Sequence, residues 1–405
     1  MAHGLSSNTP VSDNRHAMTT ARNVADGTPG IVVRENLSLD GVDAARWNEL
    51  CEGQPLLSHA FLCALHDSGC ASRATGWQPR YLGAWRGDEL VGAMPLYAKT
   101  HSYGEYVFDW GWADAYRRHG RRYYPKLVAA VPFTPVTGPR LLARATQVKR
   151  ALLDAAQAIV DRREASSLHL LFLDDADARI CEDAGTIARS GVQFHWTNAG
   201  YRDFGDFLAA FSHDKRKKVK QDRRKVAEAG VSFVRKVGRD IDARDWDFFF
   251  RCYEGTYRAH HSTPYLTPRF FARIAEAMPE HLLLVLGSRG GRPLCAALDV
   301  FDGRTLWGRY WGTLDYVPGL HFEACYYQAI EFCLERGIAS FEGGAQGLHK
   351  LARGLTPLAT HSAHVIAEPA FAAAIAEFCA RERIDIVHTL GELSEAAPFK
   401  SSEKG

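Results

Sequence analysis

The sequence contains no C-x-x-C pair, and its nine cysteines are odd in number and scattered. That pattern excludes a disulfide frame and a zinc knuckle and reads as reduced, buried thiols of a cytosolic protein. His260-His261 and the remaining histidines show no ligand spacing, so no metal is expected. G-x-x-x-x-G-K-[ST] and G-x-S-x-G are both absent, which removes the commonest phosphate loop and the serine-hydrolase elbow. There is no uninterrupted apolar run of about 18 residues, so no membrane span is expected. An excess of charge of one sign is missing too: 49 Lys and Arg stand against 47 Asp and Glu, a net of +2. Only local clusters can therefore speak for an anionic partner.

What is present is an ordinary soluble composition, 46% hydrophobic and 24% charged, over 405 residues. That length suits two domains, each with its own core. Residues 1–30, rich in Ser, Thr, Asn and Asp, read as a disordered leader without a secretory h-region. Hydrophobic periodicity predicts helices over 43–51, 59–68, 117–131, 146–165 and 176–190 in a first half. It predicts strands near 31–34 and 167–173, a hairpin over 80–97 turning at Arg86-Gly87-Asp88, and an aromatic strand over 101–112. The second half, from Val192, predicts a basic helix over 204–229, a strand over 231–237, and helices over 246–260 and 269–277. A hairpin over 282–301 follows, turning at Ser288 to Gly291, then an aromatic strand over 304–312 and a helix over 322–336. A strand near 360–366 and a helix over 369–390 close the fold. Domain limits of 31–190 and 191–392 follow, with a polar tail over 393–405.

The halves repeat at an offset of 203 residues. Arg86-Gly87-Asp88 meets Arg289-Gly290-Gly291, Ala93 meets Ala296, and Tyr123-Tyr124 meets Tyr326-Tyr327. Trp110-Gly111 meets Trp311-Gly312 at an offset two residues shorter. A shared offset over so long a span favours duplication of one α/β unit.

Four stretches could carry chemistry. Ser340 to Gly354 packs four glycines with Glu342, Gln346, His349, Lys350 and Arg353. Glu342 would emerge at a strand end, where a carboxylate of raised pKa can accept a proton from an amine. Lys350 would stabilise an oxyanion or phosphate, and the bland reading is a solvated glycine turn. Around Gly319, the strand-to-helix turn offers N–H groups to an anion. His321 and Glu323 flank it as candidate bases, against a plain helix cap with a core histidine. In the basic run 215–226, Arg216, Lys220, Arg223 and Arg224 share one helical face that could hold phosphates. A solvated face is the alternative. Along 105–112, alternation would put Glu105 and Asp109 on one side of a strand among aromatics that include Trp110, as a substrate groove or as core.

HSYGEYVFDWGWADAY, the KRKKVKQDRRK helix, GRYWG, LHFEACYYQ and FEGGAQGLHKLARG together resemble the FemAB-like family of the GNAT acyltransferase superfamily, over roughly residues 31–390. The resemblance implies an α/β fold of two tandem GNAT-like domains, each a mixed central sheet flanked by helices. It implies transfer of an acyl or aminoacyl group, from acyl-CoA or aminoacyl-tRNA as co-substrate, to an amine of a cell-wall precursor, peptide or small metabolite. The catalytic second half would use Glu342, Lys350, His321 and Glu323. Arg216, Lys220, Arg223, Arg224 and Gly319 would hold the donor. Glu105, Asp109, Trp110, Arg309, Tyr310, Trp311, Gln346 and His349 would shape the acceptor site. An ordinary acetyl-CoA-dependent N-acetyltransferase and a non-catalytic recognition protein are the rival readings. The pyrophosphate-gripping R/Q-x-x-G-x-G/A of acyl-CoA binders has its counterpart in Tyr316 to His321, which keeps Gly319 and lacks the leading cation.

Overall fold

A computed structural model describes residues 30–344 and 347–400. The first half runs β1 (Ile31–Glu35), α1 (Ala44–Leu50), α2 (His59–Asp67), β2 (Trp77–Pro79), β3 (Leu82–Arg86), β4 (Glu89–Met94) and β5 (Leu96–Lys99). It continues through α3 (Trp110–Arg118), β6 (Lys126–Ala129), α4 (Thr146–Asp161), β7 (Ser167–Leu173) and α5 (Asp175–Asp183). After β8 (Ile187–Thr197) come α6 (Phe204–Ala209), α7 (His213–Glu228), β9 (Val231–Val237), α8 (Ala243–Ala259) and α9 (Pro268–Ala277). Then follow β10 (Leu282–Arg289), β11 (Arg292–Phe301), β12 (Thr305–Thr313), α10 (Leu320–Phe322), a π-helical turn (Glu323–Tyr327) and α11 (Gln328–Arg336). The chain ends with β13 (Ser340–Glu342), β14 (Thr356–Ile366) and α12 (Pro369–Glu395).

One 11-stranded sheet crosses both halves in the order β2-β5-β6-β7-β14-β8-β13-β12-β11-β10-β9, and β1-β3-β4 form a second, smaller sheet. The halves share a pairing pattern. β5–β6 are antiparallel, β6–β7 parallel and β7–β14 antiparallel; β11–β12, β12–β13 and β13–β8 repeat this sequence. Each half thus receives its last strand from the other. β8 follows the first half and borders β13, while β14 follows the second half and borders β7. The expected domain limit at 190/191 falls inside β8. Phe399, in the stretch expected to be a polar tail, packs its ring 5.2 Å from that of Phe211.

The duplication holds where backbone hydrogen bonding defines it. In the first hairpin Ala84 faces Gly92 and Trp85 faces Leu90, so Val91 is the extra, bulged residue. In the second, Gly287 faces Cys295 and Ser288 faces Pro293, leaving Leu294, again 203 residues on. A bulge kept at one position in both copies is a feature of the unit rather than an accident. The two aromatic matches do not hold. Trp110-Gly111 begins α3 whereas Trp311-Gly312 lie in β12, and Tyr123-Tyr124 precede β6 whereas Tyr326-Tyr327 sit in the π-turn.

The helix expected over 176–190 ends at Asp183 and gives way to β8 from Ile187, and the one expected over 204–229 is broken into α6 and α7. Two further elements differ in kind. The expected strand over 101–112 is a loop followed by α3. Gly104 and Tyr106 take positive φ values (79° and 62°), which ends any extended run. The expected helix over 117–131 stops at Gly120 (φ 65°), and its apolar part becomes β6 after a cis Tyr124–Pro125 bond. Leu127 to Ala129 are fully buried on both faces, as an interior strand of mostly apolar residues requires.

Candidate active site

β12 and β13 run parallel only from Thr305 to Trp307, where Trp307 faces Glu342. β13 ends there, while β12 continues to Thr313. On its other side Glu342 faces His195 of β8. The sheet therefore opens beyond Trp307 into a cleft walled by β12 and β8. A bulge directs side chains into it: Leu298 faces Tyr310 and Asp299 faces Gly308, so Arg309 is the extra residue. The first half closes the other wall. Gln193 Nε2 donates to Pro135 O at 2.9 Å, and Tyr106 and Val107 pack against the core that includes Tyr310.

The cleft holds an unusual concentration of unmet polar groups. Glu342 Oε2, Arg309 Nε and Nη2, Tyr310 Oη and Asp299 Oδ2 are buried and have no protein hydrogen-bond partner. Buried polar atoms are normally satisfied, so a cluster of orphans on adjoining strands marks a place built to receive something. Burial pushes the Glu342 carboxyl up to about 7, with the Arg309 guanidinium only partly opposing it. Burial likewise pushes Asp299 up to about 8. It lowers Lys350 to about 8, helped by Arg309, while Lys350 Nζ donates to Gly344 O at 3.0 Å. His195 falls to about 4 through burial and the nearby Arg309 and Lys350 cations, and its Nε2 meets Gln193 Oε1 at 3.1 Å. A carboxylate near 7 beside a fixed guanidinium can take a proton and stabilise an anion in one small volume.

Of the expected residues, the fold brings Glu342, Lys350, Arg309 and Tyr310 together. Trp311 points to the opposite face of β12, where its ring lies 4.7 Å from that of His321. His321 is lowered to about 4 by burial and by His349 and Lys350, which makes it a weak base. His349 is exposed on that side, its Nε2 3.1 Å from Tyr326 Oη. Gln346 lies outside the described residues.

Three expectations are corrected by geometry. Glu323 is not a base. It is buried and accepts Arg223 Nε at 3.0 Å, Arg223 Nη2 at 2.9 Å and Gln328 Nε2 at 2.9 Å. Arg223 is consequently not a phosphate ligand, since its Nη1 also donates to Glu331 at 2.6 Å. Arg224 is exposed and 3.6 Å from Glu228. Arg216 and Lys220 form no ion pair among the described residues, so the helical face keeps these cations and loses its central one. Glu105 and Asp109 do not line a groove. Both are buried on Lys126, with Lys99 3.9 Å from Glu105. The network runs on through Tyr123 to His169, whose Nδ1 lies 2.7 Å from that of His364. Burial without an opening, with every carboxylate facing a cation, makes this cluster an anchor for the 100–109 loop. Trp110 lies beside it, exposed at the start of α3.

Gly319 has φ 86°, and a Cβ there would meet Asp222 O at 3.2 Å. Helix α7 thus packs closely against the turn.

Sequence reasoning missed His195, Gln193, Asp299 and Arg140. Arg140 is fully buried and donates to Leu171 O (2.9 Å), Pro139 O (2.9 Å) and Val136 O (2.5 Å). Gln193 and His195, at alternate polar positions of one strand, had a signal that strand pairing could have exposed.

The sequence model of the FemAB-like family, described as peptidoglycan biosynthesis/recognition, matches residues 38–401. No curated protein matches by sequence. Among solved structures, FemX superposes with a TM-score of 0.52 at 12% identity, over 84% of this chain and 98% of FemX. L-PGS from Bacillus licheniformis gives 0.46 at 10% identity, over 78% of this chain and 95% of its own. A tandem GNAT protein from the clavulanic acid biosynthesis pathway gives 0.42 at 11% identity, over 83% of this chain and 99% of its own. The fold, a mixed α/β architecture with one large sheet flanked by helices, is thus shared with FemX.

Proposed function

The chain belongs to the FemAB-like family, and on that premise we propose that it transfers an acyl or aminoacyl group to the amine of a cell-wall peptide precursor. The single observation that supports this reading is the pairing of Glu342, a buried carboxyl near pKa 7, with the unpartnered guanidinium of bulged Arg309 where β12 and β13 part.

In this mechanism the ionised Glu342 takes a proton from the acceptor ammonium. The freed nitrogen attacks the donor's ester or thioester carbonyl carbon. Arg309, with Lys350 nearby, stabilises the oxyanion that forms. Collapse re-forms the carbonyl and breaks the bond to the alcohol or thiol leaving group, which takes the proton held by Glu342, while the nitrogen, cationic after attack, releases its second proton to solvent to leave the neutral amide. Tyr310 Oη and Gln193 orient the acceptor. No covalent enzyme intermediate is required.

The donor that fits best is an aminoacyl ester carried by tRNA. The Gly319 turn lacks a leading cation and is pressed by α7, which disfavours acyl-CoA, whereas Arg216, Lys220 and Arg224 of α7 offer cations to a nucleic-acid backbone. The test uses radiolabelled mixed aminoacyl-tRNA and, separately, acetyl-CoA, each with a cell-wall stem-peptide precursor. Label should pass from the tRNA, and Glu342→Gln should lower the rate on the order of 100-fold or more. Full activity in Glu342→Gln would remove the base assignment. Transfer from acetyl-CoA alone would replace the donor.

A further inference from the structure

α3 and α12 leave between them a cavity of about 520 Å³, walled mainly by Phe108, Trp112, Ala115, Phe371, Ile375 and Phe378. Four aromatic side chains stand out of this region: Phe108 and Phe378 on the cavity, and Tyr103 and Trp110, whose rings meet at 4.9 Å beside it. They are between 42% and 57% exposed. A lone exposed aromatic is ordinary, but two on an apolar groove with an exposed aromatic pair on the segment that leads into α3 are not.

The charge beside the groove has one dominant sign. The run Arg117-Arg118-His119-Gly120-Arg121-Arg122 follows α3 directly. Asp114 satisfies Arg117 and Arg118 at 2.5 and 3.1 Å. Arg121 and Arg122 form no ion pair among the described residues, and Arg163, in the same surface pocket, reaches Glu368 only at 4.0 Å. His119 and Phe371 join the two regions, their rings 5.6 Å apart. The run lies between α3 and β6, and the donor reading does not use it.

We propose that this face docks the protein on an anionic phospholipid bilayer, with the four aromatics at the headgroup level and Arg121, Arg122 and Arg163 on lipid phosphates. Amphipathic aromatics favour the interface between water and hydrocarbon, and each arginine near an anionic leaflet adds to the attraction. The cavity accepts part of one acyl chain. The same loop that carries Phe108 to the groove carries Tyr106 to the active-site cleft, so docking would set the cleft beside the membrane surface.

The experiment is co-sedimentation of the full chain with vesicles of phosphatidylcholine alone and of phosphatidylcholine with phosphatidylglycerol. Binding is expected only with the anionic vesicles and should fall as salt rises. Arg121→Ala/Arg122→Ala should weaken it on the order of 30-fold. Brominated lipid should quench part of the tryptophan fluorescence, and Trp110→Phe should reduce that part. All three sites are exposed, so the variants keep the fold. Failure to sediment with anionic vesicles, equal binding to neutral ones, an unchanged Arg121→Ala/Arg122→Ala variant, or equal quenching in Trp110→Phe would each overturn the proposal. None of these outcomes depends on the transfer reaction.

Discussion

Replacing Glu342 with Gln should stabilise the protein at the pH where it slows the proposed transfer. The carboxyl titrates near 7 in the folded chain against an ordinary value of 4.5, because it is buried with one oxygen unpartnered. The folded state therefore holds this proton more tightly than the unfolded state does. Below pH 4.5 both states are protonated and the site costs nothing. Between 4.5 and about 7 the unfolded chain ionises first, so stability falls as pH rises, and above 7 the full cost is present. At about 1.4 kcal/mol per pH unit, the gap amounts to about 3 kcal/mol. A glutamine keeps the shape and never ionises. Glu342→Gln should thus match the wild type in thermal unfolding at pH 4.5 and exceed it by several degrees at pH 8.5. The assay is differential scanning calorimetry of both proteins across that range. An equal difference at both pH values, or a less stable variant at pH 8.5, would refute the burial argument and with it the case for Glu342 as a tuned base. A gain in stability bought by loss of function is the pattern expected of a strained active site.

Arg309→Met should raise the midpoint of the pH–rate profile by about one unit above 7, since it removes the cation that favours ionised Glu342; an unmoved midpoint would separate the two residues. Arg223→Met should cost about 3 kcal/mol in urea unfolding by leaving Glu323 and Glu331 without their counter-ion. The same variant should leave the salt dependence of RNA binding unchanged, whereas Arg216→Ala/Lys220→Ala should reduce its slope by about two. Gly312→Ala should be destabilised by about 3 kcal/mol or more, because its Cβ would fall 2.0 Å from Cys252 O where α8 rests on β12; normal yield and unfolding midpoint would contradict that packing.

The sequence alone determined the class of fold, the two hairpins and the strand end at Glu342. These depend on local periodicity, turn glycines and repetition, all of which are written in the chain over short spans. It also set Lys350 in a glycine-rich polar cluster with Glu342, while Arg309 came only with the family resemblance. Periodicity misled where a distant partner outweighed local preference. The 101–112 stretch reads as a strand, yet Lys126 and Lys99 draw Glu105 and Asp109 inward and the backbone turns at Gly104 and Tyr106. Likewise, the cationic stripe of α7 is one feature in the sequence, but Glu323 and Glu331, about 100 residues away, claim Arg223 from its centre. Only the tertiary structure decided that β8 and β14 are exchanged between halves, that Arg309 is a bulge, and that His195 and Asp299 join the cleft. Strand pairing and burial are set by residues far apart in the chain, and a pKa depends on what surrounds a group in space, which the order of residues does not contain.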